Sequence, residues 1–190
     1  MTDQSDVPMT TALVLIDLQN DYFPGGAMEL VGAEHAVTQA RTLLQAFRTR
    51  ALPVFHIQHI ATRPGATFFL PDTTGADIHT TVAPSADEAV ITKHFPSGFR
   101  ETVLLDNLRA VRASRLVLAG MMTHMCVDTT VRAAADLGFE CLLAQDGCAT
   151  RALQFSGHEV DAQQVQLAYL AALNGAFAKV QPAQTIAADL

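Results

Sequence analysis

Two kinds of apolar pattern alternate along the chain. Thr11–Asp17 (TALVLID), Pro53–Ile60 (PVFHIQHI), Ala89–Lys93 (AVITK), Arg115–Gly120 and Glu140–Asp146 (ECLLAQD) are short apolar runs with little polar alternation. That is the pattern of strands covered on both faces. Between them, Ala36, Val37, Ala40, Leu43, Leu44 and Phe47 recur at helical spacing, which predicts an amphipathic helix over 33–50. Similar reasoning predicts a helix over 102–113, with Val103, Leu104, Leu108 and Val111 inward, and a long one over 157–174 stopped by Gly175. Phe177–Val180 reads as a last edge strand. Strands alternating with helices predict an α/β fold, a mostly parallel sheet with helices on both faces. No repeat or linker interrupts the pattern, so 1–190 reads as a single domain with a loose leader over 1–10.

The chain is organised around 115–138, RLVLAGMMTHMCVDTTVRAAADLG. It reads as strand, tight turn and helix, with Thr123 as N-cap, Val127, Val131 and Ala134 on one helix face, and Gly138 as the C-terminal stop. Cys126 then falls in the first helical turn, where free N–H groups and the positive end of the macrodipole favour a thiolate. In open α/β sheets ligands bind beyond the C-terminal strand ends. Cys126 is therefore a candidate nucleophile, the alternative being a buried structural cysteine. Residues 61–88, with Pro64-Gly65, Pro71, Gly75 and Pro84, form a long connection without an evident element. Such segments serve as lids, binding arms or oligomer contacts.

Composition narrows the function classes. A net charge of −7 without a Lys/Arg cluster argues against nucleic acid or an anionic membrane as partner. The polar N-terminus lacks a signal-peptide core, and no apolar run reaches transmembrane length. Three widely spaced cysteines suggest a reducing compartment, so a cytoplasmic location is expected. Hydrophobic residues make up 49% of the chain, which leaves room for a subunit interface.

Asp17 ends the first strand, Lys93 ends another and Cys126 follows a third. In a parallel sheet all three ends lie on one edge, so an acid, an amine and a thiol can meet there. A carboxylate could take the thiol's proton, and an ammonium would stabilise the thiolate.

The segments that carry these residues, LVLIDLQNDYF, VITKHFPSGF and LAGMMTHMCVDTTVRAAADLG, make the chain, over roughly 10–180, resemble the isochorismatase-like cysteine hydrolase superfamily. That superfamily includes nicotinamidases, carbamoylsarcosine amidases and ureidoacrylate amidohydrolases. The resemblance implies a three-layer Rossmann-like fold on a mostly parallel six-stranded sheet, and a catalytic triad of Asp17, Lys93 and Cys126. It also implies a non-proline cis peptide at Met121–Met122, with the Met122 and Cys126 amides forming an oxyanion hole. Having Cys126, the chain is expected to cleave C–N bonds in amides, carbamoyl groups or ureido compounds through a thioester. A redox or peroxide-reactive thiol protein is the alternative from another class, and an isochorismatase-type vinyl ether hydrolase the alternative within the superfamily. The family's members usually form dimers or tetramers, so a homodimer or homotetramer acting on a small molecule is expected, with no cofactor.

Nicotinamidases carry an Asp-x-His…His metal site after the second strand, whereas this chain has HIQHIATRPG there. His59 stands at the metal-binding aspartate's place. His56 and His59, three apart in a strand, point to opposite faces, so no metal is expected. Gln19, Phe23, His59 and Phe95 are the candidate pocket residues, Gln19 having triad orientation as a second reading and His59 a structural role as its own. His124 reads as a surface residue at the helix start or a substrate contact. Phe68 and Phe69 read as a lid, a subunit contact or a local anchor. Cys141 is expected to be inert packing, Cys148 to be more exposed past its strand and non-catalytic, and Asp128 with Arg132 to be a surface pair.

Overall fold

The computed structural model describes residues 10–190. Of the expected leader, residues 1–9 lie outside the described part, and Thr10 already belongs to the first strand. Six strands form one sheet in the order β3-β2-β1-β4-β5-β8. They are β1 Thr10–Ile16, β2 Val54–His59, β3 Ala89–Lys93, β4 Ala113–Met121, β5 Glu140–Ala149 and β8 Lys179–Gln181. Every adjacent pair is parallel. A separate antiparallel hairpin joins β6 Leu153–Phe155 to β7 His158–Val160.

The central strand β1 shows why the sheet is covered twice. Leu13 and Leu15 pack with Val117 and Ala119 of β4 against α1 (Ala33–Thr49) and α5 (Ala183–Ala188). Ala12, Val14 and Ile16 face the other way, with Leu116 and Leu118, against α2 (Leu104–Ala110), α3 (Asp128–Asp136) and α4 (Ala162–Leu173). Side chains alternate at period two, so an unbroken apolar run feeds both layers at once. The expected three-layer fold with helices on both faces is what forms. Among the described residues, no helix is long and apolar enough to cross a membrane.

Several elements differ from the sequence reading. The helix expected over 102–113 is only α2, because Arg112 turns at φ 53 and Ala113 is already paired to Thr10 in the sheet. The helix expected from 157 starts at Ala162. Before it, Ser156 and Gly157, at φ 50 and 79, make the tight turn of the hairpin, a geometry suited to antiparallel strands. Asp161 then caps α4 by accepting from the Gln164 N–H at 2.9 Å. α5 was not anticipated. It follows Pro182, and Asp146 Oδ1 accepts from its first N–H at 2.8 Å.

Thr123 is not an N-cap. Residues Thr123–Val127 wind as a π-helical turn ahead of α3, and the Thr123 hydroxyl lies 3.1 Å from the Ala149 carbonyl and 2.7 Å from Gln166 Oε1. Gly138, at φ 90, does terminate α3.

Candidate active site

Three chain segments converge at the C-terminal edge of the sheet. Asp17 follows β1 in a left-handed conformation, φ 50, which an aspartate tolerates better than a branched residue. Beside it Gly120 has φ 150, and any Cβ there would collide with the Ile16 carbonyl. Only glycine lets the end of β4 press this closely on the end of β1. β4 then passes through a cis peptide at Met121–Met122 into the turn that carries Cys126.

Lys93 comes from β3, two strands away from β1, and reaches the others through its length. Its Nζ lies 2.7 Å from Asp17 Oδ2 and 3.2 Å from Cys126 Sγ. It also lies 2.8 Å from His59 Nδ1 and 3.1 Å from the Phe95 carbonyl. An ammonium has only protons to give, so His59 Nδ1 accepts and the ring carries its own proton on Nε2. Asp17 and Lys93 have no exposed surface and Cys126 has 4%.

The charges at this spot follow from burial and pairing. Burial raises the Asp17 carboxyl above its ordinary range, against the pull of Lys93. Burial also raises the Cys126 thiol, Asp17 beside it adds to the rise, and Lys93 opposes it only in part. For Lys93, burial alone would depress the ammonium, but Asp17 and Cys126 outweigh that and hold it charged. The resting arrangement is therefore an ammonium–carboxylate pair with a protonated thiol against it. Burial, then Lys93, then His94 push His59 down to about 3, so it is neutral.

Oxygen, nitrogen and sulfur atoms of Asp17, His59 and Cys126 lie within 4.8 Å of one another, close enough to share an ion. The Lys93 ammonium, however, already touches all three residues and repels a second cation from the same contacts. His56 is no part of this group. Its Nε2 lies 2.9 Å from Glu88 Oε2, on the other side of β2.

Cys126 opens onto a cavity of about 560 Å³. Tyr22, Phe68, Phe69 and Phe95 give it aromatic walls, Met122 and Met125 flank the thiol, and Arg63 and Arg151 also border it. The size suits a small molecule. Of the pocket residues expected from sequence, His59 and Phe95 line this cavity and Gln19 and Phe23 do not. Gln19 is fully buried and clamps the chain around His59. Its Oε1 accepts from the His59 N–H at 2.7 Å, and its Nε2 donates to the His59 and Ala76 carbonyls at 2.8 and 2.7 Å. Phe23 is core, stacked on His79 with ring centres 4.0 Å apart.

Other positions were misread or missed. His124 is buried, not superficial. Its Nδ1 lies 2.5 Å from Thr150 Oγ1, and its ring packs edge-on to Tyr169. Cys148 is buried too, because β5 bulges. β4 advances from Leu118 to Gly120 while β5 advances from Leu143 to Cys148, which pulls Cys148 back into the sheet. Phe69 is an anchor in the core as well as a cavity wall. Tyr22 and Asp21 went unnoticed. Asp21 accepts from the Phe69 N–H at 2.6 Å and the Ala27 N–H at 3.1 Å, joining the turn after β1 to the long segment. An acid inside a loop sequence gives no periodic signal. Only an Asp directly after Gln19 and Asn20, in a chain with a long following connection, hints at such anchoring. Asp128 and Arg132 pair at 3.0 Å, as their spacing implies.

Comparison with known proteins agrees with this geometry. The model of the isochorismatase domain family matches residues 11–183. An isochorismatase-family protein of Bacillus subtilis, YddQ, is 47% identical over 173 residues, 91% of this chain and 96% of its own. A solved structure, a putative isochorismatase hydrolase from Oleispira antarctica, is 46% identical with a TM-score of 0.91 and covers 99% of both chains. N-carbamoylsarcosine amidase from Thermoplasma acidophilum superposes with a TM-score of 0.78 at 26% identity, over 92% of this chain and 97% of that one.

Proposed function

The chain belongs to the isochorismatase family of hydrolases, and we propose that it cleaves the C–N bond of a small amide, carbamoyl or ureido compound with Cys126 as nucleophile. The observation that carries this reading is the Lys93 ammonium in simultaneous contact with Asp17 and Cys126, at the edge of a cavity that the thiol lines. A similar fold in an amidase of a carbamoyl compound supports the bond type.

In this mechanism Asp17 takes the thiol proton as Cys126 attacks the carbonyl carbon, and Lys93 holds carboxylate and sulfur in register. The raised Asp17 carboxyl makes it a better base than an exposed aspartate, and the ion pair with Lys93 stabilises the anion that forms. The backbone amides of Met122 and Cys126 are the oxyanion donors. Losing one such donor costs about 3–4 kcal/mol of transition-state stabilisation. Asp17 returns the proton to the departing nitrogen, the C–N bond breaks, and an acyl group remains on sulfur. Water, deprotonated by Asp17, then releases the acid and restores the thiol.

Three further expectations belong to this reading. The free thiols of Cys126, Cys141 and Cys148 suit a reducing, cytoplasmic setting. Exposed Leu167 on α4, a helix apolar nearly all round, suits self-association into a homodimer or homotetramer. No cofactor takes part in the steps.

The test is Cys126→Ala and Cys126→Ser, assayed for ammonia release from primary amides, carbamoyl compounds and ureido acids. Mass spectrometry of wild type quenched during turnover should show an acyl adduct on Cys126. Turnover should fall by about 10⁴-fold or more with the melting profile retained. Ordinary hydrolysis by Cys126→Ala would refute the assignment.

A further inference from the structure

The charge around the cavity is unlike that of the rest of the chain. The sequence holds 19 Asp and Glu against 12 Lys and Arg, yet the cavity is bordered by Arg63 and Arg151 and by no carboxylate. Both arginines are exposed at its mouth. Among the described residues neither forms an ion pair, as is also true of Arg41, Arg50, Arg109 and Arg112, but Arg63 and Arg151 alone of these six border the cavity. Among the described residues, the one hydrogen bond of the Arg151 guanidinium goes to the carbonyl of its neighbour Ala152, at 3.3 Å. Two acids next to lining segments of the cavity are engaged elsewhere. Asp17 is matched by Lys93, and Asp21 is taken up by the Phe69 and Ala27 amides.

Two exposed guanidiniums at the mouth of an aromatic cleft that no carboxylate lines leave their N–H donors open to an incoming anion. A guanidinium suits a carboxylate through paired N–H donors. Two positive charges at the opening also raise the local concentration of anions. The aromatic walls, Tyr22, Phe68 and Phe69, match an apolar body between the reacting carbonyl and that charge.

We infer that the substrate is an acidic amide: a scissile carbonyl held at Cys126, an apolar body against the aromatic walls, and a carboxylate received by Arg63 and Arg151. The inference rests on Cys126 being the reactive thiol of this cavity, and it names which amides the site selects. Neutral amides of the same size lose the contact at the mouth. Cationic ones meet repulsion there.

Two alkylating probes of nearly equal size separate this inference from the reading beneath it. Iodoacetate is anionic and iodoacetamide neutral, and each forms an S–CH₂ bond at a thiol as the C–I bond breaks and iodide leaves. Site-resolved mass spectrometry gives the rate for each probe at Cys126, and glutathione gives the intrinsic ratio. The wild-type ratio of iodoacetate to iodoacetamide should exceed that of glutathione by about tenfold, and the excess should shrink as salt is raised. Arg63→Gln with Arg151→Gln should remove the excess. Arg115→Gln, which deletes the same charge beside Glu140 at the opposite end of β4, should keep it.

A wild-type ratio equal to that of glutathione overturns the inference, and so does an excess that survives the double arginine variant. In either case the hydrolase reading stands. If neither probe reaches Cys126, the thiol is closed to small molecules and both readings fall together. As a direct counterpart, succinamate should be preferred over butyramide in the ammonia assay, and the double variant should lose that preference through KM.

Discussion

The floor and the roof of the cavity are built on different physics. The floor is made of strand ends, where Asp17 and Lys93 have no exposed surface and answer each other's charge at 2.7 Å. The roof is the segment 61–82, which contains no strand and only two short 3₁₀ turns, Thr74–Ala76 and Thr80–Val82. It is pinned by polar bonds from the turn after β1. Gln19 holds the Ala76 carbonyl, Asn20 Nδ2 donates to the Thr74 carbonyl at 2.8 Å, and Asp21 holds the Phe69 N–H. One turn thus sends Asp17 to the floor and three consecutive polar residues to the roof. Floor and roof cannot move independently of that turn. What separates them is cost. Breaking the buried ion pair leaves a naked charge at about 3–5 kcal/mol, whereas breaking one roof bond costs about 1–3 kcal/mol.

The largest expected effect follows from the floor. Lys93→Met keeps the volume and removes the charge, which strands Asp17 in a dry site. Stability to urea should fall by about 3–5 kcal/mol at neutral pH. Ammonia release should drop by about 10³-fold or more, because the thiolate loses its partner. Asp17→Asn combined with Lys93→Met should recover most of the stability and none of the activity, since the pair then disappears as a unit. If Lys93→Met is as stable as wild type, the floor is not organised by this pair and the contrast with the roof dissolves.

The roof gives a smaller effect. A methyl group at Gly75 would overlap the Asp21 carboxylate, so Gly75→Ala must push either the 3₁₀ turn or Asp21 aside. Overpacking of this kind costs about 1–3 kcal/mol. Because Asp21 also anchors Phe69, KM should rise by about tenfold while kcat changes much less, the loss lying in binding and not in the chemical step. A fall in kcat with KM unchanged would show that the roof is part of the reacting geometry.

The same contrast explains what could be read from sequence. Asp17, Lys93 and Cys126 were legible because the first two end apolar runs and the third follows one within a turn, and a parallel sheet sends all such ends to one edge. The strand positions followed from the same periodicity. The roof has no period. Tyr22, Asp21 and Arg151 act through a loop's path, which local spacing does not encode, and Gln19 and Phe23 were assigned to the pocket only because they follow Asp17 closely. His124 and Cys148 were misjudged for a related reason. A π-helical turn and a bulged β5 each shift the register that burial was inferred from. The helix expected from 157 fails over 157–160 because Ser156-Gly157 makes a two-residue hairpin turn.

His59 joins floor to roof, and its titration measures that joint. In the folded protein burial and Lys93 hold it down to about 3, against 6.5 ordinarily. As pH falls below 6.5 the unfolded chain takes up a proton that the folded chain refuses, so stability is complete above 6.5 and declines below it. At pH 5 this amounts to about 1–2 kcal/mol, allowing for partial exposure. His59→Gln should therefore lose less stability than wild type between pH 7 and pH 5, by that amount, in parallel urea titrations. His56 and His124, also held low by burial, act with the same sign in both proteins and cancel in the difference. Equal losses would mean that His59 is hydrated and that the Lys93 contact does not hold it.

The smallest effect falls on a residue that sequence assigned to the pocket and the structure assigns to the core. Phe23 is buried beside Tyr22, but its ring stacks on His79 and borders no part of the cavity. Phe23→Leu should cost about 1 kcal/mol in stability through lost ring packing. KM and kcat should stay within about twofold of wild type, since no cavity surface changes. Phe69→Leu is the matched control, because Phe69 belongs to the core and the cavity wall together and should raise KM as well as lower stability. If Phe23→Leu raises KM as much as Phe69→Leu does, then core and wall are mechanically one body. The roof would then owe its position to packing through Phe23 and not to the three polar anchors of the β1 turn.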